Sequence, residues 1–120
     1  MYLKAYTKDI QDIHFSPDGQ TLAVATGNMI IVHRVSDWSI SQRLYVSGNL
    51  DTVHKIFYSA DSSLLFSTSG NGTLRVYDLS SGNLLYTFPG SGVDDIAFSP
   101  DNTLMAVLRG KAVTLWAVAP

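Results

Sequence analysis

Short apolar runs recur about every ten residues along the chain, and most of them end at Gly, Pro, Asn, Asp or Ser. The runs are rich in β-branched and aromatic residues, which favour strands, while the polar residues between them favour tight turns. Four such runs follow one another in the middle of the chain. They predict strands at Val53 to Tyr58, Leu64 to Thr68, Thr73 to Leu79 and Asn83 to Phe88.

The same grouping extends toward both ends of the chain. Before the middle group we predict strands at Ile10 to Phe15, Thr21 to Thr26, Met29 to Val35 and about Ser41 to Val46. After it we predict strands at Val93 to Phe98, Thr103 to Leu108 and Ala112 to Val118. The pattern therefore predicts an all-β protein of four-stranded antiparallel sheets in which the last group has three strands.

A five-residue motif marks the three groups as copies of one unit. Phe15-Ser16-Pro17-Asp18-Gly19 returns as Tyr58-Ser59-Ala60-Asp61-Ser62 and as Phe98-Ser99-Pro100-Asp101-Asn102, at spacings of 43 and 40 residues. A unit of about 40 residues that cannot bury its own apolar face is typical of a solenoid or a propeller, in which neighbouring units supply each other's core. We predict units at about 9–48, 49–90 and 91–120.

Several segments resemble the WD-repeat family of β-propellers. They are Ile96-Ala97-Phe98-Ser99-Pro100-Asp101, Ser69-Gly70-Asn71-Gly72-Thr73, Leu74-Arg75-Val76-Tyr77-Asp78-Leu79 and Ser81-Gly82-Asn83-Leu84-Leu85. Tyr77-Asp78 stands where that family has its Trp-Asp pair, and His33-Arg34 and Trp116-Ala117 stand there in the other units. Gly48-Asn49 and Gly90-Ser91 are similar to the family's Gly-His pair but lack the histidine. The resemblance implies three four-stranded propeller blades with an incomplete buried polar network.

Three blades are too few for a ring, because propellers close with about four to eight blades. An isolated wedge of three would expose apolar outer faces and unpaired strand edges. The segment Tyr2 to Ala5 precedes the first unit where a fourth strand would lie, so we predict that it completes the last blade of another copy. Closure as a six-bladed dimer is favoured, a nine-bladed trimer is conceivable, and an array cut from a longer protein would show the same offset ends. The predicted assembly strands contain Tyr2, Leu3, Ala5, Val113, Leu115 and Trp116.

Composition and charge limit the classes of partner. Eight Lys and Arg stand against ten acidic residues, all of them Asp, and no basic run occurs, so we expect no nucleic-acid partner. No run of 18 apolar residues and no leader pattern is present, so we expect no membrane partner and a cytoplasmic location. The absence of cysteine removes disulfides and thiolate chemistry and fits a reducing compartment.

The patterns typical of catalysis or metal binding are weak. His14, His33 and His54 lack the spacing of metal ligands, so we expect packed or exposed side chains. Neighbours on a strand point to opposite faces, and Asp94-Asp95 is therefore expected to be solvated or to cap a turn. No nucleophile elbow and no phosphate loop occurs. We expect no enzyme activity and no metal or other cofactor.

The resemblance implies a non-enzymatic scaffold for protein or peptide partners. Members of the family commonly bind partners on the face made by the turns leading into the first strand and those joining the second strand to the third. Carried over by position, this face contains Lys8, Asp9, Asn28, Asn49, Asp51, Asn71, Ser91, Arg109 and Lys111.

Two alternative functions stay open. A binder of small ligands or glycans would have one aromatic and a few polar groups at equal places in each unit. A self-assembling fragment or engineered subunit would have no ligand of its own. Trp38, in a predicted connection, is either an exposed partner contact or folded back over the blade edge.

Overall fold

The structure is a computed structural model that describes residues 3, 6, 8–46, 52–70, 72–88, 92–101 and 103–117. Its described strands form three antiparallel sheets, which we call blades 1 to 3. Blade 1 contains β1 (Ile10–Phe15), β2 (Thr21–Thr26), β3 (Met29–Arg34) and β4 (Ile40–Tyr45). Blade 2 contains β5 (Val53–Tyr58), β6 (Leu64–Ser69), β7 (Leu74–Asp78) and β8 (Asn83–Phe88). Blade 3 contains β9 (Asp95–Phe98), β10 (Leu104–Arg109) and β11 (Ala112–Ala117).

Each blade is a meander, because tight turns join strands that are consecutive in the chain. Gly27 and Gly110 adopt positive φ angles of 59° and 55° in the turns after β2 and β10, where a residue with a Cβ is disfavoured. The predicted strands are confirmed to within two residues at every described end. Within the part of the chain described here, no helix is long and apolar enough to cross a membrane.

The first apolar core lies between blades 1 and 2. We call the side of a blade toward the preceding blade its leading face and the opposite side its trailing face. Ile30 and Leu44 of the blade 1 trailing face pack in one cluster with Ile56, Leu65 and Tyr77 of the blade 2 leading face. All five are at most 3% exposed. Side chains alternate along each strand, so a blade buries one set of residues on each neighbour.

A second, smaller core lies between blades 2 and 3. Phe66 and Val76 of the blade 2 trailing face cluster with Ile96 and Val107 of the blade 3 leading face. Phe98 is partly buried against this cluster, and its ring centroid lies 5.9 Å from that of Phe66. The units therefore supply each other's core, as the repeat pattern predicts.

The two outer faces of the array are apolar and exposed, also as the sequence predicts. On the blade 1 leading face Ile10, Ile13 and Phe15 are at least half exposed. The partly buried Leu3 and Tyr6 lie over this face, where they line a cleft of about 340 Å³ together with Ile10, Ile13 and Trp38. On the blade 3 trailing face the exposed residues are Leu104, Leu108, Val113 and Leu115.

The predicted exchange of a strand between copies concerns segments that are only partly described. Tyr2 and Ala5 lie outside the described residues, and Leu3 is not assigned to a strand. Within the described residues, blade 3 has three strands, and β11 pairs with β10 on one side. Completion of blade 3 by another copy, and the unit boundaries, stay predictions.

Candidate interaction face

One edge of the array gathers the turns between second and third strands together with the segments that lead into first strands. In blade 1 the Thr26 hydroxyl donates to the Lys8 carbonyl at 3.0 Å. The Val53 amide donates across to the Gly27 carbonyl of blade 1 at 2.9 Å. We call this edge the turn face. Its described residues are 8–9, 26–28, 52–53, 69–70, 72–73, 92–94 and 109–111.

Similar links continue the turn face through blades 2 and 3. The Gly70 amide donates to the Thr52 carbonyl at 3.0 Å, and the Gly92 amide donates to the Gly72 carbonyl at 3.1 Å. In blade 3 the Asp94 carboxylate accepts from the Gly110 amide at 2.9 Å. Backbone groups, the Thr26 hydroxyl and the Asp94 carboxylate thus hold the turn face together.

The described members of the predicted face all lie on this edge. Lys8, Asp9, Arg109 and Lys111 are exposed, whereas Asn28 is half-buried and its carbonyl accepts from the Val46 amide at 2.8 Å. Asn49, Asp51, Asn71 and Ser91 lie outside the described residues. The use of this edge as a binding face, and the role of each of these residues in it, stay predictions.

A polar cleft of about 350 Å³ opens on the turn face between blades 2 and 3, and sequence reasoning missed it. The His54 ring packs beside Gly70, where a Cβ would lie 3.2 Å from the His54 Nε2, so a glycine leaves room for the ring. The available signal was positional, because several lining residues flank the predicted turns. The lining includes His54, Lys55, Thr68, Ser69, Gly92 and Asp94.

First strands of adjacent blades are also connected by polar contacts. The Asp12 carboxylate accepts from the backbone amides of Ile13 and Ile56, both at 3.0 Å. The Lys55 ammonium lies 3.6 Å from the Asp95 carboxylate, with both side chains about half exposed. A pair this exposed contributes at most about 1 kcal/mol. The ion pair between Lys55 and Asp95 therefore adds little to the stability of the fold.

The three histidines differ in their burial and in their contacts. His33 is buried; its Nε2 is hydrogen-bonded to the Tyr6 hydroxyl, and its Nδ1 lies 3.0 Å from the Trp38 carbonyl oxygen. His14 is exposed and stacks on Phe57 with ring centroids 6.3 Å apart, and His54 is exposed in the cleft. In the described ranges no group of three or more His, Cys, Asp or Glu is arranged to hold a metal ion.

Two further expectations about single side chains have clear outcomes. Asp94 caps the turn after β10 through its contact with the Gly110 amide, which confirms the turn-capping prediction. Trp38 is partly buried and lines the cleft near Leu3 and Tyr6, so it folds back over the blade. Its φ of 62° is in the left-handed region, which few residues other than glycine adopt.

The opposite edge of the array is organised by a Ser-x-Asp pair in the turn after each first strand. In blade 2 the Ser59 hydroxyl donates to the Asp61 carboxylate at 2.6 Å and accepts from the Leu64 amide at 2.9 Å. Asp61 also accepts from the Ser63 hydroxyl and amide, and these hydrogen bonds lower the pKa of Asp61 to about 2. The pKa values of Asp18 and Asp101 are lowered by equivalent bonds.

These carboxylates are therefore occupied by their own turns. Hydrogen bonds to a carboxylate favour its charged form, which makes it a poor proton donor near neutral pH. The repeated motif found in the sequence thus has a structural role at this edge. A catalytic role for these carboxylates has no geometric support.

The positions of the family's Trp-Asp pair differ between blades. Tyr77 is buried, and its hydroxyl donates to the Tyr45 carbonyl at 3.3 Å. Trp116 is 52% exposed at the equivalent place in blade 3. The buried hydroxyl of Ser67, on the neighbouring strand, has no hydrogen-bond partner among the described residues. The polar network of blade 2 is incomplete at this hydroxyl, as the resemblance implies.

A comparison with protein families matches the family described as WD domain, G-beta repeat, at residues 1–56, 40–78 and 82–116. Among curated proteins, the chain is 34% identical over 95 residues to an uncharacterized WD repeat-containing protein of Synechocystis, covering 77% of this chain. It is 27% identical over 109 residues to the intraflagellar transport protein 122 homolog of Xenopus tropicalis, covering 91% of this chain.

Among solved structures, the chain resembles the crystal structure of the RRP9 WD40 repeats with a TM-score of 0.81 and 21% identity over 97% of this chain. The chain spans only part of the length of each protein. It covers 27% of the Synechocystis protein, 9% of the Xenopus protein and 37% of the RRP9 chain. The similarity to RRP9 therefore concerns the propeller fold.

Proposed function

Since this chain belongs to the WD40 repeat family of β-propellers, we propose that it is a non-enzymatic scaffold that binds protein or peptide partners on its turn face. WD40 repeats generally mediate protein–protein interaction and scaffolding. A cytoplasmic location belongs to this proposal and agrees with the absence of cysteine.

The observation that supports this proposal is the series of hydrogen bonds across the turn face. Groups from all three blades are tied at 2.8 to 3.1 Å, while Lys8, Asp9, Arg109 and Lys111 remain exposed. A rigid backbone lowers the entropic cost of binding, because little has to be ordered on contact. Both charge signs are present, so a protein surface of mixed charge fits better than a polyanion.

The test is a pull-down with a charge reversal on the turn face and a matched reversal on the opposite edge. Arg109→Glu changes the turn face, and Arg34→Glu, at the end of β3, changes the opposite edge by the same charge. We expect a reproducible partner that is lost with Arg109→Glu and retained with Arg34→Glu. Equal retention by both variants, or recovery of this chain alone, would contradict the proposal.

We propose self-assembly into a closed ring as a second candidate function, because described apolar surface lacks cover. Tyr86 and Phe88 of β8 are 61% and 47% exposed on the side where a fourth strand of blade 3 would lie. An incoming strand could pair with β11 and cover both rings. The segment Tyr2 to Ala5 of another copy is the proposed strand, and a dimer of six blades is the simplest ring.

Strand exchange is tested by changing the proposed strand, and circular dichroism checks that blade 1 still folds, because Leu3 also lines the cleft on its leading face. Deleting residues 1–5 should abolish the oligomer measured by light scattering. Leu3→Pro removes an amide donor and restricts φ, whereas Leu3→Val keeps a strand-forming residue and serves as the control. An oligomer that survives both the deletion and the proline would rule out strand exchange.

A further inference from the structure

We propose that the leading face of blade 1 binds the trailing face of blade 3 of a second copy, in the arrangement that joins blades 1 and 2 within the chain. This inference rests on the self-assembly candidate and specifies its interface. The two faces differ from each other, so the contact is head to tail. A second copy fits these faces because their residues occupy the same repeat positions as residues that are buried at the junctions within the chain.

The blade 1 leading face repeats the residues that form the internal junctions. Ile13, Ile56 and Ile96 occupy the same position in the first strands of blades 1, 2 and 3. Each pairs with the same position of the second strand in its own blade. Ile56 is fully buried and Ile96 is 5% exposed, whereas Ile13 is 55% exposed. Phe15 and Tyr58 also share a position, at 60% and 7% exposed. An apolar surface of the kind that blade 2 buries is thus left open on blade 1.

The blade 3 trailing face repeats the other half of that junction. Val113 occupies the ladder position of Ile30, and Leu115 occupies that of Val32. Ile30 and Val32 are at most 2% exposed, whereas Val113 and Leu115 are both 65% exposed. The blade 3 trailing face of a second copy would therefore cover the blade 1 leading face with apolar residues equivalent to those by which the blade 1 trailing face covers blade 2. The same type of packing would be used in both places.

Polarity at one matched position supports the pairing of these two faces. At the first junction the Tyr58 hydroxyl lies 2.9 Å from the Thr21 hydroxyl. At the second junction the equivalent positions hold Phe98 and Leu64, and both rest against the second core cluster.

On the two exposed faces the same two positions are apolar. Phe15 lies on the blade 1 leading face and Leu104 lies on the blade 3 trailing face. A buried hydroxyl without a partner is costly, so the two members of the pair must be polar or apolar together. Phe15 and Leu104 satisfy this condition. Closure between copies would therefore leave no hydroxyl unsatisfied at this position.

The first strands at the proposed interface bring two aspartates together, which predicts how the association depends on salt. Asp12, Lys55 and Asp95 occupy equivalent positions. At the first junction Asp12 accepts from the Ile56 amide, and at the second junction Lys55 lies beside Asp95. Between copies, Asp95 would stand in the place of Lys55 and Asp12 of the next copy in the place of Asp95. Two like charges repel, and salt screens that repulsion. Added salt should therefore tighten this association.

The test uses one aspartate substitution on each face. Ile13→Asp changes the blade 1 leading face, and Leu115→Asp changes the blade 3 trailing face. Leu85→Asp, on a residue of β8 that is 46% exposed, is the matched control away from both faces. Circular dichroism checks that each variant folds, and light scattering measures its mass against the 13.1 kDa chain.

A head-to-tail contact predicts an asymmetric result. Each face variant alone should be a monomer, Leu85→Asp should assemble like the unmodified chain, and an equimolar mixture of the two face variants should form a dimer with one remaining junction. If the unmodified chain assembles but the mixture stays monomeric, or if either face variant alone retains its oligomer, this interface is wrong while self-assembly stands. A monomeric unmodified chain would contradict both.

Discussion

The apolar core between blades 1 and 2 extends to β4, the outer strand of blade 1. The core between blades 2 and 3 does not extend to β8, the outer strand of blade 2. Leu44 of β4 and Phe88 of β8 occupy the same ladder position, but Leu44 is 3% exposed and Phe88 is 47% exposed. Tyr77 and Trp116 show the same contrast at 2% and 52%. Among the described residues, the outer strand of blade 1 is therefore buried beside a blade with a described fourth strand, and the outer strand of blade 2 is exposed beside a blade with three described strands.

This contrast shows that burial in the array is a property of neighbours. Phe88 is as apolar as Leu44, and a large apolar side chain contributes about 1.5 to 3 kcal/mol when it is fully buried. Blade 3 and the outer strand of blade 2 lack much of this contribution in the isolated chain. We expect the two junctions to respond differently to equivalent substitutions.

The largest difference is expected at the position of the family's tryptophan. Tyr77→Ala removes a buried ring and its hydrogen bond to the Tyr45 carbonyl, and should reduce the free energy of unfolding by about 3 to 5 kcal/mol. Trp116→Ala removes a ring that is half exposed and should cost about 1 kcal/mol. Urea denaturation of both variants measures the difference. Equal losses would show that the two junctions are packed alike.

The three equivalent isoleucines give an internally matched series. In the Leu115→Asp background, which keeps the chain monomeric on the proposed interface, Ile56→Ala should cost about 2 to 5 kcal/mol because its position is fully buried. Ile96→Ala should cost less, since the second junction is open at its outer strand. Ile13→Ala should change the free energy of unfolding by about 0.5 kcal/mol or less. Any other order of the three losses would contradict the comparison.

Acid should weaken blade 2 through its Ser-x-Asp turn. The pKa of Asp61 is about 2 in the folded chain and about 3.9 in an unfolded one, so its stabilising effect is complete above about pH 4 and is lost as the pH falls toward 2. Asp61→Asn should lower the urea midpoint at pH 7 and flatten its dependence on pH between 4 and 2. Asp101→Asn in blade 3 should cause a smaller decrease in the urea midpoint and a smaller change in its dependence on pH. If the urea midpoint of Asp61→Asn depended on pH as that of the unmodified chain does, this role of Asp61 would be contradicted.

The smallest effect is expected at the exposed ion pair between blades 2 and 3. A double-mutant cycle with Lys55→Gln and Asp95→Asn should give a coupling energy of about 0.5 kcal/mol that decreases with salt. The control cycle combines Lys55→Gln with Asp101→Asn, because Asp101 lies in a turn of its own. A coupling well above 1 kcal/mol would mean that this contact, and not apolar packing, holds the second junction.

Much of the fold could be predicted from the sequence because local signals agree. The β-branched and aromatic residues of Val53–Tyr58 and the glycine before β11 placed those strands correctly. The conformation of Trp38 could not be predicted, because a left-handed φ at a residue other than glycine depends on its contacts. The exposure of Phe88 was also unpredictable, since it depends on a strand distant in sequence. The polar cleft at His54 was missed for the same reason.

Hydrogen exchange followed by mass spectrometry tests the central comparison most directly. In the monomeric Leu115→Asp variant, amides of β6 and β7 should be protected strongly, while those of β10 and β11 should exchange much faster. In the unmodified chain at high concentration, β10, β11 and β1 should gain protection together. Equal protection of β6 and β10 in the monomeric variant would contradict the claim that neighbouring blades determine stability along this chain.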